Sequence, residues 1–195
     1  EVVLMTASLA RLLRQSISIE NELVTIGQEV EYVRSYLTIQ KMRYKDKLEF
    51  EINVDPRITH AQIIRLVLQP IVENAIYHGL KYKESKGMLK VHGYELGERI
   101  IIDITDDGVG MDEETLKHIY DKHKVNYHSN GVGVYNVQQR LVLYYGKEYG
   151  IIYHSEKGKG TTATVVIPKK QEDVRRLPVC AIRFIIMRFI ILRMN

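Results

Sequence analysis

The chain has 195 residues, 45% of them hydrophobic and 27% charged, enough for one folded domain with flanking segments and not the composition of a disordered chain. A single cysteine, Cys180, excludes an internal disulfide framework and fits a reducing compartment. The formal net charge is +4, but seven of the 28 basic side chains and only two of the 24 acidic ones lie at or beyond Lys169; residues 1–168 therefore hold 21 basic and 22 acidic groups, a net of −1, which argues against a basic face for nucleic acid.

The chain opens at Glu1 and not at a Met, so a longer parent protein is expected. Leu4, Leu9, Leu12 and Leu13 recur near helical spacing and predict a helix over 1–17. A second helix is expected over 26–43, where Val30, Val33, Tyr36, Leu37 and Ile39 form an apolar stripe and Glu29, Glu31, Arg34 and Lys41 face water. Residues 48–54 alternate apolar and polar, the pattern of a half-buried strand, and Asp55-Pro56 ends it in a turn. An apolar helix is expected over 61–80, bent or restarted at Pro70, which lacks a backbone donor. Strands over 88–94 and 99–105 form a hairpin around Glu95-Leu96-Gly97-Glu98. A short helix near 113–120 leads into a polar, His-rich loop over 121–130, then a helix over 133–145. Strands over 149–155 and 162–167 close the series. Adjacent hairpins, without strict strand–helix alternation, predict an α+β fold with a mainly antiparallel mixed sheet and helices on one face.

Four motifs stand in order along this scaffold. In Gln69-Pro70-Ile71-Val72-Glu73-Asn74-Ala75-Ile76-Tyr77-His78-Gly79, Asn74 is a poor helix former whose amide oxygen is a hard neutral ligand suited to Mg²⁺, and His78 shares its helix face. In Asp106-Asp107-Gly108-Val109-Gly110, a carboxylate at a strand end can accept from an exocyclic amine such as adenine N6, and the glycines permit close backbone approach. Gly131-Val132-Gly133-Val134 precedes a helix whose amides can cradle an anion, yet it is neither a Walker loop nor a dinucleotide fingerprint. Gly158-Lys159-Gly160-Thr161-Thr162 completes the set. Singly, these also read as a polar helix surface, an Asp-Asp-Gly turn and a glycine-rich helix start; jointly they point to ATP. His118, His123 and His128 lack the fuller ligand set of a zinc site and read as a solvated loop.

In this order the motifs resemble the N box, two glycine boxes and closing Gly-Thr element of the GHKL ATP-binding fold (the Bergerat fold), a two-layer α/β sandwich shared by histidine kinases, type II topoisomerases and MutL. The wording is most similar to LytS-type sensor histidine kinases, through the N box, Tyr36-Leu37-Thr38-Ile39-Gln40-Lys41-Met42-Arg43 and Asn136-Val137-Gln138-Gln139-Arg140-Leu141, and the resemblance covers about residues 8–168. It implies a catalytic set of Glu73, Asn74 and His78, with Asn74 holding Mg²⁺ and His78 and Lys81 beside the phosphates. It further implies that Asp106 recognises adenine N6, that Gly108 and Gly110 shape the base pocket, and that Thr161 lies near the adenine. Gly131, Val132, Gly133 and Val134 would line an ATP lid that includes 121–130.

Two departures from the wider pattern refine the expectation. ATP-hydrolysing branches of this fold place a Glu one helical turn before the metal Asn; here that position is Pro70, which cannot act as a base, and the adjacent Glu73 points elsewhere on the helix. Phosphoryl transfer to a protein side chain is therefore favoured over a GHKL-type ATPase, with an anti-sigma-type serine kinase as the other alternative. None of the seven histidines (60, 78, 92, 118, 123, 128 and 154) stands in the His-Phe-Leu-Phe-Asn acceptor motif of LytS-type kinases, so the acceptor is expected upstream. The implied organisation is the end of a dimerisation and phosphoacceptor helix with its linker over 1–25, an ATP-binding catalytic domain over 26–168, and a basic-apolar tail over 169–195. Implied partners are ATP, the acceptor segment of the same protein or its dimer mate, and a response regulator; the implied setting is the cytoplasmic part of a membrane-anchored, homodimeric sensor. The tail, interrupted by Arg183, Arg188 and Arg193, reads as a membrane-surface helix, an extra strand or a non-native extension.

Overall fold

A computed structural model describes residues 22–119 and 131–170; the expected helix at 1–17, the loop at 121–130 and the tail from 171 lie outside the described residues. The elements are β1 (Leu23–Thr25), α1 (Ile26–Tyr44), β2 (Leu48–Val54), β3 (Gln62–Ile64), α2 (Leu68–Asn74, continued by a π-helical turn over Ala75–Leu80), β4 (Gly87–Leu96), β5 (Arg99–Asp106), α3 (Glu113–Lys117), α4 (Gly131–Tyr145), β6 (Gly150–Glu156) and β7 (Gly160–Pro168). Local chemistry sets several boundaries. Thr25 and Gln28 form a capping box at the start of α1: Thr25 Oγ1 accepts from Gln28 N at 3.1 Å, and Gln28 Oε1 accepts from Thr25 N at 2.9 Å. Leu96 pairs with Arg99, so the β4–β5 turn shrinks to Gly97-Glu98, with Gly97 at φ +61°.

Five strands form one sheet in the order β2-β4-β5-β7-β6, parallel between β2 and β4 and antiparallel elsewhere. Ile100, Ile102 and Ile104 on β5, with Ala163, Val165 and Ile167 on β7, join the same core as Ile26, Val33 and Leu37 of α1, Leu68, Ile71 and Ile76 of α2, and Val134, Val137 and Leu141 of α4. On the opposite face of β5 and β7 the buried Ile101 and Val166 stand side by side, and the rest is largely polar: Thr164 donates to Asp103 Oδ1 at 2.6 Å, and the Thr105 and Thr162 hydroxyls meet at 3.0 Å. Each fully buried aliphatic side chain contributes roughly 1.5–3 kcal/mol, so a one-residue slip that turned this isoleucine row outward would cost far more than any single hydrogen bond recovers. Among the described residues no helix is long and apolar enough to cross a membrane.

Several sequence expectations change. Glu29, expected on the water-facing side of α1, is 1% exposed, because its carboxylate accepts from the backbone amides of Leu66, Val67 and Leu68. Leu23–Thr25, expected within a linker, form a strand that pairs antiparallel with Gln62–Ile64, where a helix was expected. The chain then passes through Leu66 at φ +60° before α2 begins at Leu68. A short apolar run rich in Ile does not distinguish strand from helix by periodicity alone, and the partner strand lies far away in sequence. Pro70 is consequently the third helical residue, where an N–H has no intrahelical partner to lose, and it does not break the helix. The irregularity falls instead at Ala75–Leu80, the π-helical turn that carries His78 and Gly79.

Candidate functional site

The π-helical end of α2 meets the C-terminal end of β5 and the start of β7, and a pocket opens between them. Its walls are Ile71, Asn74, Ala75, His78 and Gly79 from α2, Ile104 and Asp106 from β5, Gly110 and Met111 from the following turn, Tyr153 from β6, and Thr161 and Ala163 from β7. Asn74, His78, Asp106, Gly110 and Thr161, drawn from three separate sequence motifs, thus share one cavity.

Asp106 is 3% exposed and stands opposite Thr161 in the β5–β7 register. Burial raises its pKa to about 6, the neighbouring Asp107 adding to the rise, while the backbone N–H groups of Gly108 and Thr161 and the Lys83 charge oppose it. Gly108 N donates to its Oδ1 at 2.9 Å. At neutral pH the carboxylate is therefore mostly ionised, desolvated and able to accept a donor presented from the pocket. Gly108 and Gly79 are backbone to backbone: Val109 N donates to Gly79 O at 3.1 Å, and a Cβ on Gly108 would collide with the Gly79 main chain. The glycines of this box therefore let β5 close onto α2 and so shape the pocket wall. Gly110, at φ +64°, similarly lies against the Glu156 carbonyl, where no side chain fits.

Asn74 Oδ1 is buried and has no hydrogen-bond partner among the described residues. A buried amide oxygen without a donor is costly, and a hard cation is one group that would satisfy it. Among the described residues no cluster of three or more His, Cys, Asp and Glu side chains could hold a metal ion. His78 borders the pocket with its side chain reaching solvent; desolvation against the wall, reinforced by the Lys81 charge, lowers its pKa. Near neutral pH the imidazole is thus mainly uncharged, with one N–H to donate.

Other expected site residues stand apart. Glu73 Oε1 accepts from Gln69 Nε2 at 2.9 Å along the helix and is not part of the pocket wall. The Lys81 ammonium lies 5.8 Å from the Tyr77 ring centroid and 5.7 Å from that of Tyr82, also outside the wall. Gly131, Val132, Gly133 and Val134 form the first turn of α4 and do not precede it; Val134 is fully buried in the core, and neither Gly133 nor Val134 lines the pocket. Pro70 is buried in the first turn of α2 and carries no group that could activate water. Asp106 is the only carboxylate in the described wall.

Sequence reasoning missed Ser155, which organises the far side. Its Oγ accepts from Met111 N at 2.8 Å, donates to Gly160 O at 3.0 Å, and lies 2.8 Å from Thr161 Oγ1. A hydroxyl has one proton, so donation to Gly160 leaves Thr161 as the donor to Ser155, which fixes the threonine rotamer beside Asp106. Met111 and Tyr153 were also missed; only Ile104, two residues before Asp106 on the same face of β5, was open to recognition from strand periodicity.

The family model described as "Histidine kinase-, DNA gyrase B-, and HSP90-like ATPase" matches residues 59–171, and one described as "Histidine kinase" matches residues 1–48. The chain is 34% identical over 170 residues to the sensor histidine kinase YesM of Bacillus subtilis, a match covering 87% of this chain and 28% of that protein. It is 31% identical over 163 residues to the sensor protein LytS of Oceanobacillus iheyensis, covering 82% of this chain and 28% of that one. The chain thus spans little more than a quarter of the length of these relatives. In structure it is similar to the histidine kinase domain of the Erythrobacter litoralis EL346 blue-light activated histidine kinase, with a TM-score of 0.57 and 16% identity over 89% of this chain and 79% of that one. It is similar also to the Acinetobacter baumannii histidine kinase AdeS, with a TM-score of 0.55 and 22% identity over 86% and 77% of the two chains. A family model that spans more than half of the chain, on a fold whose motifs converge on one pocket, shows that the chain belongs to the histidine kinase-, DNA gyrase B- and HSP90-like ATPase family.

Proposed function

We propose that residues 26–168 are the ATP-binding catalytic domain of a two-component sensor histidine kinase, which transfers the γ-phosphoryl group of ATP to a histidine on a segment upstream of this chain. The phosphoryl group then passes to an aspartate of a response regulator. The observation that carries this reading is the buried, unpartnered Asn74 Oδ1 in the same cavity as the desolvated Asp106 carboxylate. Asp106 accepts from the exocyclic amine of adenine, with Thr161 beside it. Asn74 takes one position on a Mg²⁺ ion that arrives with the phosphates and neutralises their charge, and His78 donates an N–H to a phosphate oxygen. The first turn of α4, with Gly131 and Gly133, belongs to the lid over the phosphates, where helix N-terminal amides suit an anion. Glu73 and Lys81 act from outside the pocket wall.

The choice of transfer over hydrolysis is supported by the same geometry. With Pro70 buried in the helix start and Glu73 engaged by Gln69, no carboxylate on the described part of α2 faces the metal position to activate water. Phosphoryl transfer needs mainly positioning and charge neutralisation, which this pocket supplies. Residues 1–25 are read as the end of the dimerisation and phosphoacceptor segment with its linker, the parent protein as a membrane-anchored homodimeric sensor with this domain in the cytoplasm, and the tail over 169–195 as unassigned. Calorimetric titration with a non-hydrolysable ATP analogue tests the reading. Binding is expected and should strengthen on adding Mg²⁺; Asn74→Ala should remove that increment and leave the domain folded. Absence of binding, or an unaltered Mg²⁺ increment in Asn74→Ala, would overturn the site. Sustained ATP hydrolysis by this chain alone would move the function to the ATPase branches.

A further inference from the structure

The segment joining β3 to α2 is held almost wholly by side chains from other elements. Ile64 N donates to Tyr145 Oη at 3.1 Å, and Arg65 N to Glu22 O at 2.9 Å. The next three amides converge on one carboxylate: Leu66 N donates to Glu29 Oε1 at 2.8 Å, and Val67 N and Leu68 N donate to Glu29 Oε2 at 3.0 and 3.1 Å. From the opposite side, Arg140 donates through Nη2 to Arg65 O at 2.5 Å and through Nη1 to Leu66 O at 3.4 Å. Glu29, 1% exposed, comes from α1; Arg140, 8% exposed, comes from α4. The helix they hold has no capping side chain of its own, since Val67 stands at its N-cap. Leu66 sits at φ +60°, a conformation that costs a branched residue roughly 1–3 kcal/mol and persists only where its surroundings impose it.

We propose that Glu29 and Arg140 are positioning residues of the nucleotide site, which set where α2 begins and so where Asn74 stands against Asp106. The proposal rests on the nucleotide reading of that site. Asn74 lies six residues beyond Leu68, about 9 Å along the helix at a rise of ~1.5 Å per residue, so the clamp acts on it through a short rigid lever. The far end of α2 is pinned independently, through Gly79 against Gly108 and the 3.1 Å bond from Val109 N. Loosening the clamp therefore moves the metal side of the site more than the base side. The same contacts tie α1 and α4 to one turn of backbone, so any shift of either helix reaches Asn74.

The test compares the chain with its Glu29→Gln and Arg140→Lys variants. Glutamine keeps the volume of Glu29 but offers one accepting oxygen to three amides and turns an N–H₂ toward them; lysine keeps the charge of Arg140 but cannot span two carbonyls. A non-hydrolysable ATP analogue is titrated with and without Mg²⁺. The Mg²⁺-dependent gain in affinity should fall by roughly 10–100-fold in Glu29→Gln, the range found for residues that orient metal ligands from behind, and less in Arg140→Lys. Metal-free affinity should change far less in both. A merely structural role would lower the unfolding midpoint and leave the Mg²⁺ gain of the folded protein intact, and that result would overturn the proposal. If Glu29→Gln fails to give a cooperative unfolding transition, Arg140→Lys decides, together with amide hydrogen exchange in the unaltered chain. There Leu66, Val67 and Leu68 should gain protection with analogue plus Mg²⁺ beyond that with analogue alone, and no additional protection would refute the coupling. Failure of the unaltered chain to bind the analogue would instead sink the nucleotide reading itself.

Discussion

Asp106→Asn separates what the pocket costs the fold from what it does for a ligand. Asp106 is 3% exposed, and burial raises its pKa from 3.8 to about 6. The sign follows from linkage: between those values the folded state holds a proton that the unfolded state has lost, so stability falls as pH rises from about 4 to about 6 and is level above. At 1.36 kcal/mol per pH unit the shift corresponds to about 3 kcal/mol of destabilisation at neutral pH. Asparagine removes the charge, can retain the acceptor for Gly108 N, and forgoes about 1 kcal/mol of hydrogen bonding to the ionised group. The variant should thus be about 1–3 kcal/mol more stable than the parent at pH 7.5 and no more stable at pH 3.5. Urea unfolding of both proteins at half-unit pH steps measures this. Parallel stability profiles across that range would refute the argument that Asp106 is ionised against its burial. Nucleotide affinity should move oppositely: losing a charged acceptor costs about 1.5–3 kcal/mol, roughly 10–150-fold. In the unaltered chain affinity should tighten as pH rises through about 6, where Asp106 ionises.

Gly108→Ala should abolish nucleotide binding and destabilise the domain by roughly 2 kcal/mol or more, because its Cβ would drive the Gly79 backbone away from β5; calorimetry and urea unfolding report the two effects. Ser155→Ala should leave Thr161 without its hydroxyl partner and Met111 N without an acceptor, costing about 1–3 kcal/mol of stability and weakening metal-free nucleotide binding more than the Mg²⁺ gain. Ile102→Ala, at the centre of the sheet and fully buried, should cost about 2–5 kcal/mol in urea unfolding while nucleotide affinity of the folded protein stays unchanged.

Periodicity and punctuation located most of the elements without tertiary information. The alternation in Leu48–Val54 and the isoleucine row of Arg99–Asp106 could be read because one face of each strand meets the core and the other does not. The same reasoning failed at 61–80: Gln62–Ile64 became a strand because β1 offered it a partner, and α2 began only where Glu29 could cap it. Neither fact is local, and Ile63-Ile64 fits a buried helix as readily as a strand.

The order of residue types between Gln69 and Thr162 was enough to name the chemistry, since an amide oxygen, a strand-end carboxylate and glycine turns are chemical properties of side chains and need no coordinates. Which of them meet was decided by the fold alone. Asn74, His78, Asp106, Gly110 and Thr161 share a cavity because β5 pairs with β7 and closes on α2 through two glycines, whereas Glu73, Lys81 and Val134 fall on faces that turn elsewhere. Arg140 stood in a recognised motif, but its contacts, like those of Ser155 and Glu29, were not legible, because a side chain that bonds distant backbone shows its partner only once the chain has brought that backbone to it.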